Sequence, residues 1–241
     1  MAQQPSPHVL AEHEDFIVVS KPVGVCMHQN DGEFPILAQL QRQGYGDSKY
    51  LVHRLDTDTS GLMIVAKTSR AAGEFGRLFE QQKIAKYYLA LGQGKAQKKQ
   101  GHIAGDMAKV RNGNFRLLKT KKNPAYTQFF SSALPNEQRK GLRLYTLRPL
   151  TGKTHQLRVA LKSISAPIVG DVRYGSLLAD RMYLHAYQIT FTYAGQPFNY
   201  VSPPTSGELW NTLESKAHIA NMTPPDQLDW PKPIMEIRSG V

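Results

Sequence analysis

A single cysteine, Cys26, two tryptophans and no apolar run beyond about six residues mark what this chain has least of. One thiol excludes an internal disulfide and a zinc site built from several cysteines, and gives no sign of secretion. Runs so short fall well below the roughly 20 residues that a membrane-spanning helix needs. Met1 to His8 has neither the cationic start nor the apolar core of a leader, so a soluble protein of the cytoplasm is expected. Acidic side chains are also scarce, with 19 Asp and Glu against 30 Lys and Arg, and the formal net charge of +11 favours a polyanionic partner. Nucleic acid is preferred over a membrane surface, which requires a basic amphipathic helix that the sequence does not show.

Catalytic signatures are missing as well. No Gly-rich loop leads into Lys and Ser or Thr, no Gly-x-Gly-x-x-Gly follows a strand, and no His-x-x-x-His or carboxylate cluster has metal spacing. Neither a nucleotide cofactor nor a metal is therefore expected. No Gly-x-Ser-x-Gly elbow is present, and Ser60 has no partnered His in a recognisable pattern, which leaves little support for a hydrolase.

What is present fits a globular protein with one substantial core: 241 residues, 41% hydrophobic and 20% charged. Phe16 to Val19, Tyr50 to Leu55, Leu62 to Ala66, Lys86 to Leu91, Arg143 to Leu147 and Ile189 to Tyr193 read as strands, the last followed by a hairpin signal at Gly195 and Pro197. Ala71, Phe75, Leu78 and Phe79 share a helical face, with Ser69 as the expected N-cap. Leu157, Ala160, Leu161 and Ile164 predict a helix over Thr154 to Ser163, with His155 and Arg158 in its first turns. Strands without regular alternation with helices point to α+β, a largely antiparallel mixed sheet with flanking helices. Between Lys95 and Lys122 nine basic residues face one acid, Asp106, and an RNA-contacting arm is expected there, with Lys119, Lys121 and Lys122 on phosphates. From Thr205 to Val241 acids outnumber bases and four prolines interrupt regular structure, so a tail along the surface is expected.

The residues His53 to Lys67, HRLDTDTSGLMIVAK, resemble the long motif of the RluA-type pseudouridine synthases. DFIVVSKPVGVCMH at Asp15, KYYLAL at Lys86, LTGKTHQLRVAL at Leu150, PIVGDVRYG at Pro167 and LHAYQITF at Leu184 agree in order. The resemblance covers about Val9 to Pro204, and implies one catalytic domain over 9–204 with the pseudouridine synthase fold, an N-terminal extension over 1–8 and a C-terminal tail over 205–241. It leaves no room before Val9 for the separate RNA-binding module of some relatives. The implied activity is the isomerisation of a uridine in tRNA or 23S rRNA without cofactor or metal, by a monomer.

The resemblance also implies the site. Asp56 would be the essential carboxylate, as nucleophile or as the base that starts elimination. Arg158 would pair with it and keep it ionised. Tyr88 would lie against the target base, with Tyr87 on the opposite strand face. Arg54 would fill the space of the flipped-out uridine, Leu157 would form an apolar wall for the uracil, and His53 would support the site. Asp58 sits at a variable position and reads as a turn residue. Lys21 and Pro22 match a motif packed near the site. Ala160 and the segment Ser163 to Ala166 depart from the family pattern. The rival expectation is a non-catalytic RNA-binding or ribosome-assembly factor that keeps the fold.

Overall fold

The computed structural model describes residues 5–28, 35–46, 50–94, 98–136, 139–175 and 178–231. Lys95 and the end of the chain from Lys232 lie outside the described residues. In chain order the elements are β1 (His8–Glu12), β2 (Phe16–Lys21), α1 (Ile36–Arg42), β3 (Tyr50–Leu51), β4 (Ser60–Ala66), α2 (Ser69–Glu80) and β5 (Ala85–Gln93). There follow β6 (Gln100–Gly105), β7 (Met107–Lys109), β8 (Phe115–Leu117), β9 (Ala125–Ala133), β10 (Leu142–Pro149), α3 (Gln156–Ser163), β11 (Leu184–Tyr193), β12 (Gln196–Val201) and α4 (Leu213–Asn221). The fold is mixed α+β, and the strands pair mostly antiparallel. The described residues divide into two compact units, 5–84 with 185–204, and 85–184 with 205–231.

In the first unit the strand order is β1-β2-β4-β11, with β3 also on β4 and β12 on β11. β2 and β4 run antiparallel from Phe16 opposite Ala66 to Lys21 opposite Gly61. Alternate positions Phe16, Val18, Leu62, Ile64, Ala66, Ile189 and Phe191 join Ala71, Phe75 and Leu78 of α2 in one core, as period-2 and helical spacing require. Its centre is aromatic: Phe75 stacks on Tyr193 at 4.8 Å and meets Phe16 edge-on at 5.2 Å. Thr68, not Ser69, caps α2, accepting the Ala71 N–H at 3.1 Å. The strand expected over Tyr50 to Leu55 ends at Leu51. Its ladder cannot extend because the Ile64 N–H is donated to His53 Nε2 at 3.0 Å.

β4 and β11 are parallel, with Ser60 opposite His185 and Gly61 opposite Ala186. Gly61 has φ +109°, and a Cβ there would sit 2.2 Å from the Ala186 carbonyl oxygen. Only glycine fits so close a backbone approach.

The second unit is built on the antiparallel order β5-β10-β9-β6, beside the separate hairpin β7-β8. The basic stretch is therefore partly folded strand, with Lys109 and Arg116 in β7 and β8 and Lys119, Lys121 and Lys122 beyond β8. Asp106 closes the turn that follows β8: its carboxylate accepts the Lys122 and Asn123 N–H groups at 3.0 and 2.7 Å. The Thr120 hydroxyl bond, then those amides and the Lys122 charge, hold its pKa below the usual carboxylate value. α3 begins at Gln156 rather than Thr154, because His155 takes the left-handed conformation with φ 54° and serves as the cap. Residues 205–231, expected to trace the surface, include α4 and the fully buried Trp210. Trp230 stacks on Tyr87 at 5.9 Å.

Gly61→Ala is expected to cost about 1–3 kcal/mol or more, since it adds left-handed strain to a backbone collision. Urea unfolding of the variant at wild-type stability would contradict this reading of the β4–β11 approach.

Candidate functional site

The segment between β3 and β4 carries Asp56 on a short loop fixed by main-chain tethers. Lys21, at the end of β2, is completely buried. Its Nζ donates to the carbonyls of Pro22 and Val25 at 2.9 Å and of Thr57 at 3.0 Å. The Gly24 N–H also reaches the Thr57 carbonyl at 2.9 Å, and the Thr59 N–H reaches the Asp56 carbonyl at 3.0 Å. A buried ammonium is tolerated when its protons are all engaged, and here that requirement fixes the residue next to Asp56. Asp56 is half-buried and Arg54 and Asp58 are exposed, while Leu55 and Thr59 are buried anchors on either side.

Ser60 closes the loop. Its Oγ lies 2.7 Å from His185 Nδ1, and His185 Nε2 lies 2.6 Å from the Ser202 carbonyl. A carbonyl only accepts, so Nε2 carries the proton and Nδ1 accepts from the Ser60 hydroxyl. Ser60 thus does have a histidine partner, 125 residues away in sequence. Both side chains are buried, so the pair secures the start of β4 and presents no nucleophile. His53 has a scaffold contact too: its Nε2 accepts from Ile64, and its ring lies 4.9 Å from Phe79.

In the second unit Tyr88 and Tyr87 occupy successive positions of β5 and so project to opposite faces. Tyr87 packs on Trp230, with the Arg148 guanidinium 5.8 Å from its ring. Tyr88, opposite Leu147, is the one left on the other face. Burial pushes the Lys86 ammonium down to about 8.

Arg158 and Leu157 lie buried on α3. Arg158 makes a bidentate pair with Asp171, Nε to Oδ2 and Nη2 to Oδ1, each at 2.8 Å. Sequence reasoning missed Asp171 as a partner of Arg158. The GDVRYG motif held the signal, since Gly170 (φ +78°) lets its backbone pass against the Arg181 carbonyl and sets Asp171 in place. Gln156, also missed, fastens α3 to β9: its amide donates to the Tyr126 carbonyl and Thr127 hydroxyl at 3.0 Å and accepts from the Thr151 hydroxyl at 2.7 Å. Lys119, Lys121 and Lys122 are exposed on the turn after β8. Among the described residues no group of three or more His, Cys, Asp or Glu could hold a metal ion, and no helix is long and apolar enough to cross a membrane.

A half-buried carboxylate on a loop tied down by buried polar groups suits acid–base or nucleophilic work. The family model for RNA pseudouridylate synthase matches residues 15–163, which hold Asp56, Tyr88 and Arg158. The chain belongs to the RNA pseudouridylate synthase family. These enzymes are isomerases. The chain is 46% identical over 205 residues to a Haemophilus influenzae protein named as an uncharacterized RNA pseudouridine synthase, covering 84% of this chain and 89% of that one. It is 31% identical over 228 residues to the ribosomal large subunit pseudouridine synthase D of Nitrosomonas europaea, with 81% of this chain covered. It spans 61% of the length of that relative. The solved structure of human RNA pseudouridylate synthase domain containing 1 superposes with a TM-score of 0.71 at 26% identity, covering 85% of this chain and 86% of that one.

Within this family member, burial decides which ion pair matters for stability. Arg158–Asp171 and Arg70–Asp15 have nearly equal lengths, 2.8 and 2.7 Å, but the first pair is buried and the Arg70 side chain is 75% exposed. Asp171→Ala breaks this buried bidentate pair and is expected to cost about 3–5 kcal/mol. Arg70→Ala should cost about 1 kcal/mol or less. Chemical unfolding of both variants checks this, and equal losses would contradict it.

Proposed function

We infer that this chain converts a specific uridine of tRNA or 23S rRNA to pseudouridine, with residues 9–204 as the catalytic region, acting as a cytoplasmic monomer. The reaction breaks the N-glycosidic bond and rejoins ribose C1′ to C5 of the same base, while the C5 proton leaves and N1 gains one. No electrons are exchanged with a second molecule, so side chains suffice. The observation that carries the reading is the Asp56 loop: the family motif with its aspartate half-buried, on a backbone held by Lys21 and Thr59.

Asp56 acts as nucleophile or as the base at the ribose, and Arg158 supplies positive charge that favours the ionised carboxylate. Tyr88 lies against the uracil and moves the ring proton, with Leu157 as apolar wall. A stacked base hides C1′ and C5, so the uridine is flipped out, with Arg54, exposed beside Asp56, occupying the gap. His53 supports the loop from beneath. Lys119, Lys121 and Lys122 contact phosphates and add affinity without sequence choice.

Carbodiimide mapping of pseudouridine in RNA from cells lacking the gene, complemented with wild type or Asp56→Asn, tests this. The expected result is a reverse-transcription stop in tRNA or 23S rRNA that only wild type restores. Restoration by Asp56→Asn would overturn the role of Asp56, and no lost stop with RNA binding intact would favour the binding-factor reading.

A further inference from the structure

The second unit contains a cavity of about 530 Å³ that none of the residues assigned to the reaction lines. One wall is the β7–β8 hairpin with Asn114, Phe115 and Arg116, and the other is α3 with Lys162. Arg173 and Tyr174 close one side. Its size falls within the roughly 300–1,000 Å³ of small-ligand sites.

Its chemistry is specific in kind. Three cations line it, and among the described residues no Asp or Glu does. Lys162 and Arg116 are exposed, and neither has a salt-bridge partner among the described residues. Arg173 is held by neutral acceptors, the Asn112 carbonyl at 2.9 Å and Asn114 Oδ1 at 3.2 Å, so its charge is positioned without being cancelled. Between these cations lie aromatic and aliphatic surfaces, Phe115, Tyr174 and Val159. A ligand that satisfies both features carries negative charge and a flat apolar face, as a nucleotide does: phosphate to Lys and Arg, base to aromatic ring.

The cavity is also built rather than incidental. The Tyr174 hydroxyl accepts the Phe115 N–H at 3.1 Å and lies 2.9 Å from His155 Nδ1, joining hairpin and helix cap. The Tyr174 ring is 5.2 Å from the Arg158 guanidinium carbon, and its N–H donates to the Asp171 carboxylate that pairs with Arg158. The wall of the cavity is therefore continuous with the support of Arg158.

We propose that this cavity binds an unpaired nucleotide of the substrate RNA, separate from the target uridine, with its phosphate on Lys162, Arg116 and Arg173 and its base among Phe115, Tyr174 and Val159. The site rests on the chain being an RNA-acting member of its family, and deepens that reading by adding a second point of recognition. An enzyme that requires one nucleotide at its acid–base site and another here selects loops in which both are unpaired.

The test is ultraviolet cross-linking of the full wild-type chain to deproteinised tRNA and rRNA from cells lacking the gene, with mass spectrometry of the cross-linked peptides. Filter binding of Lys162→Ala and Phe115→Ala to the same RNA accompanies it. A nucleotide adduct on the peptide containing Phe115 is expected. Lys162→Ala should reduce the salt dependence of binding by about one phosphate contact, and Phe115→Ala should weaken binding about 5- to 100-fold through lost stacking. Lys162 is exposed on the helix surface, so that variant keeps the fold where Phe115→Ala disturbs the hairpin. Adducts confined to other peptides, with Lys162→Ala binding like wild type at every salt concentration, would overturn the proposal. Cross-linking of uridine monophosphate to the Phe115 peptide, with no RNA adduct on that peptide, would also overturn it, in favour of a free-nucleotide site. Neither readout needs turnover, so an inactive enzyme with the adduct intact would sink the catalytic reading while leaving this site standing.

Discussion

The candidate chemistry of the first unit depends on one buried ammonium. Lys21 has no solvent contact, and its Nζ is engaged by three carbonyls, two from the turn that follows β2 and one from Thr57. Removing an ammonium from water costs several kcal/mol unless its donors are satisfied, so the β2 turn and the Asp56 loop are held together by the need to satisfy it. The consequence is directional: Thr57 cannot drift without stranding a charge, and Asp56 is its immediate neighbour. Gly24, Thr59 and the Ser60–His185 pair complete the constraint.

The second unit solves the matching problem for a guanidinium. Arg158 is oriented by Asp171, Asp171 by the close backbone passage at Gly170, and α3 by Gln156. The Asp56 loop and Arg158 are thus each seated on groups that are not proposed to act on substrate. Fixing reacting groups before substrate arrives is where much of an enzyme's rate originates, because the ordering cost is met during folding. The same economy explains why the motif residues around Asp56 are so varied in type. Gly61 permits a backbone approach, Ser60 closes a hydrogen-bond chain, and His53 takes a strand N–H that would otherwise extend the ladder to β3.

Much of this was legible in the sequence where the signal is local. An apolar run marked β4, alternation marked β5, and helical spacing marked α2 and α3, although the cap of α2 fell one residue earlier and α3 began two residues later. The α3 start was hidden because only the left-handed backbone of His155 reveals that Thr154 and His155 belong to the turn. Charge density says nothing of pairing, so the weakly alternating β6, β7 and β8 were not legible within the basic stretch, nor was the turn that Asp106 organises through main-chain amides. The C-terminal residues read as a surface tail because their prolines break periodicity, yet Trp210 is buried and Trp230 packs on Tyr87. Long-range partners were the least legible. Ser60 with His185 and Lys21 with Thr57 are separated by 125 and 36 residues, and only the fold brings them together.

The most direct measurement is the single-turnover rate of pseudouridine formation by Lys21→Met at saturating RNA. Methionine keeps the volume and removes the tether. If Lys21 fixes the Asp56 loop, the rate falls by about 10²-fold, as for other misplacements of about 1 Å, while RNA affinity stays at the wild-type value. A variant that reacts at the wild-type rate, or one whose loss merely tracks its unfolded fraction, would contradict the claim that this buried cation positions Asp56.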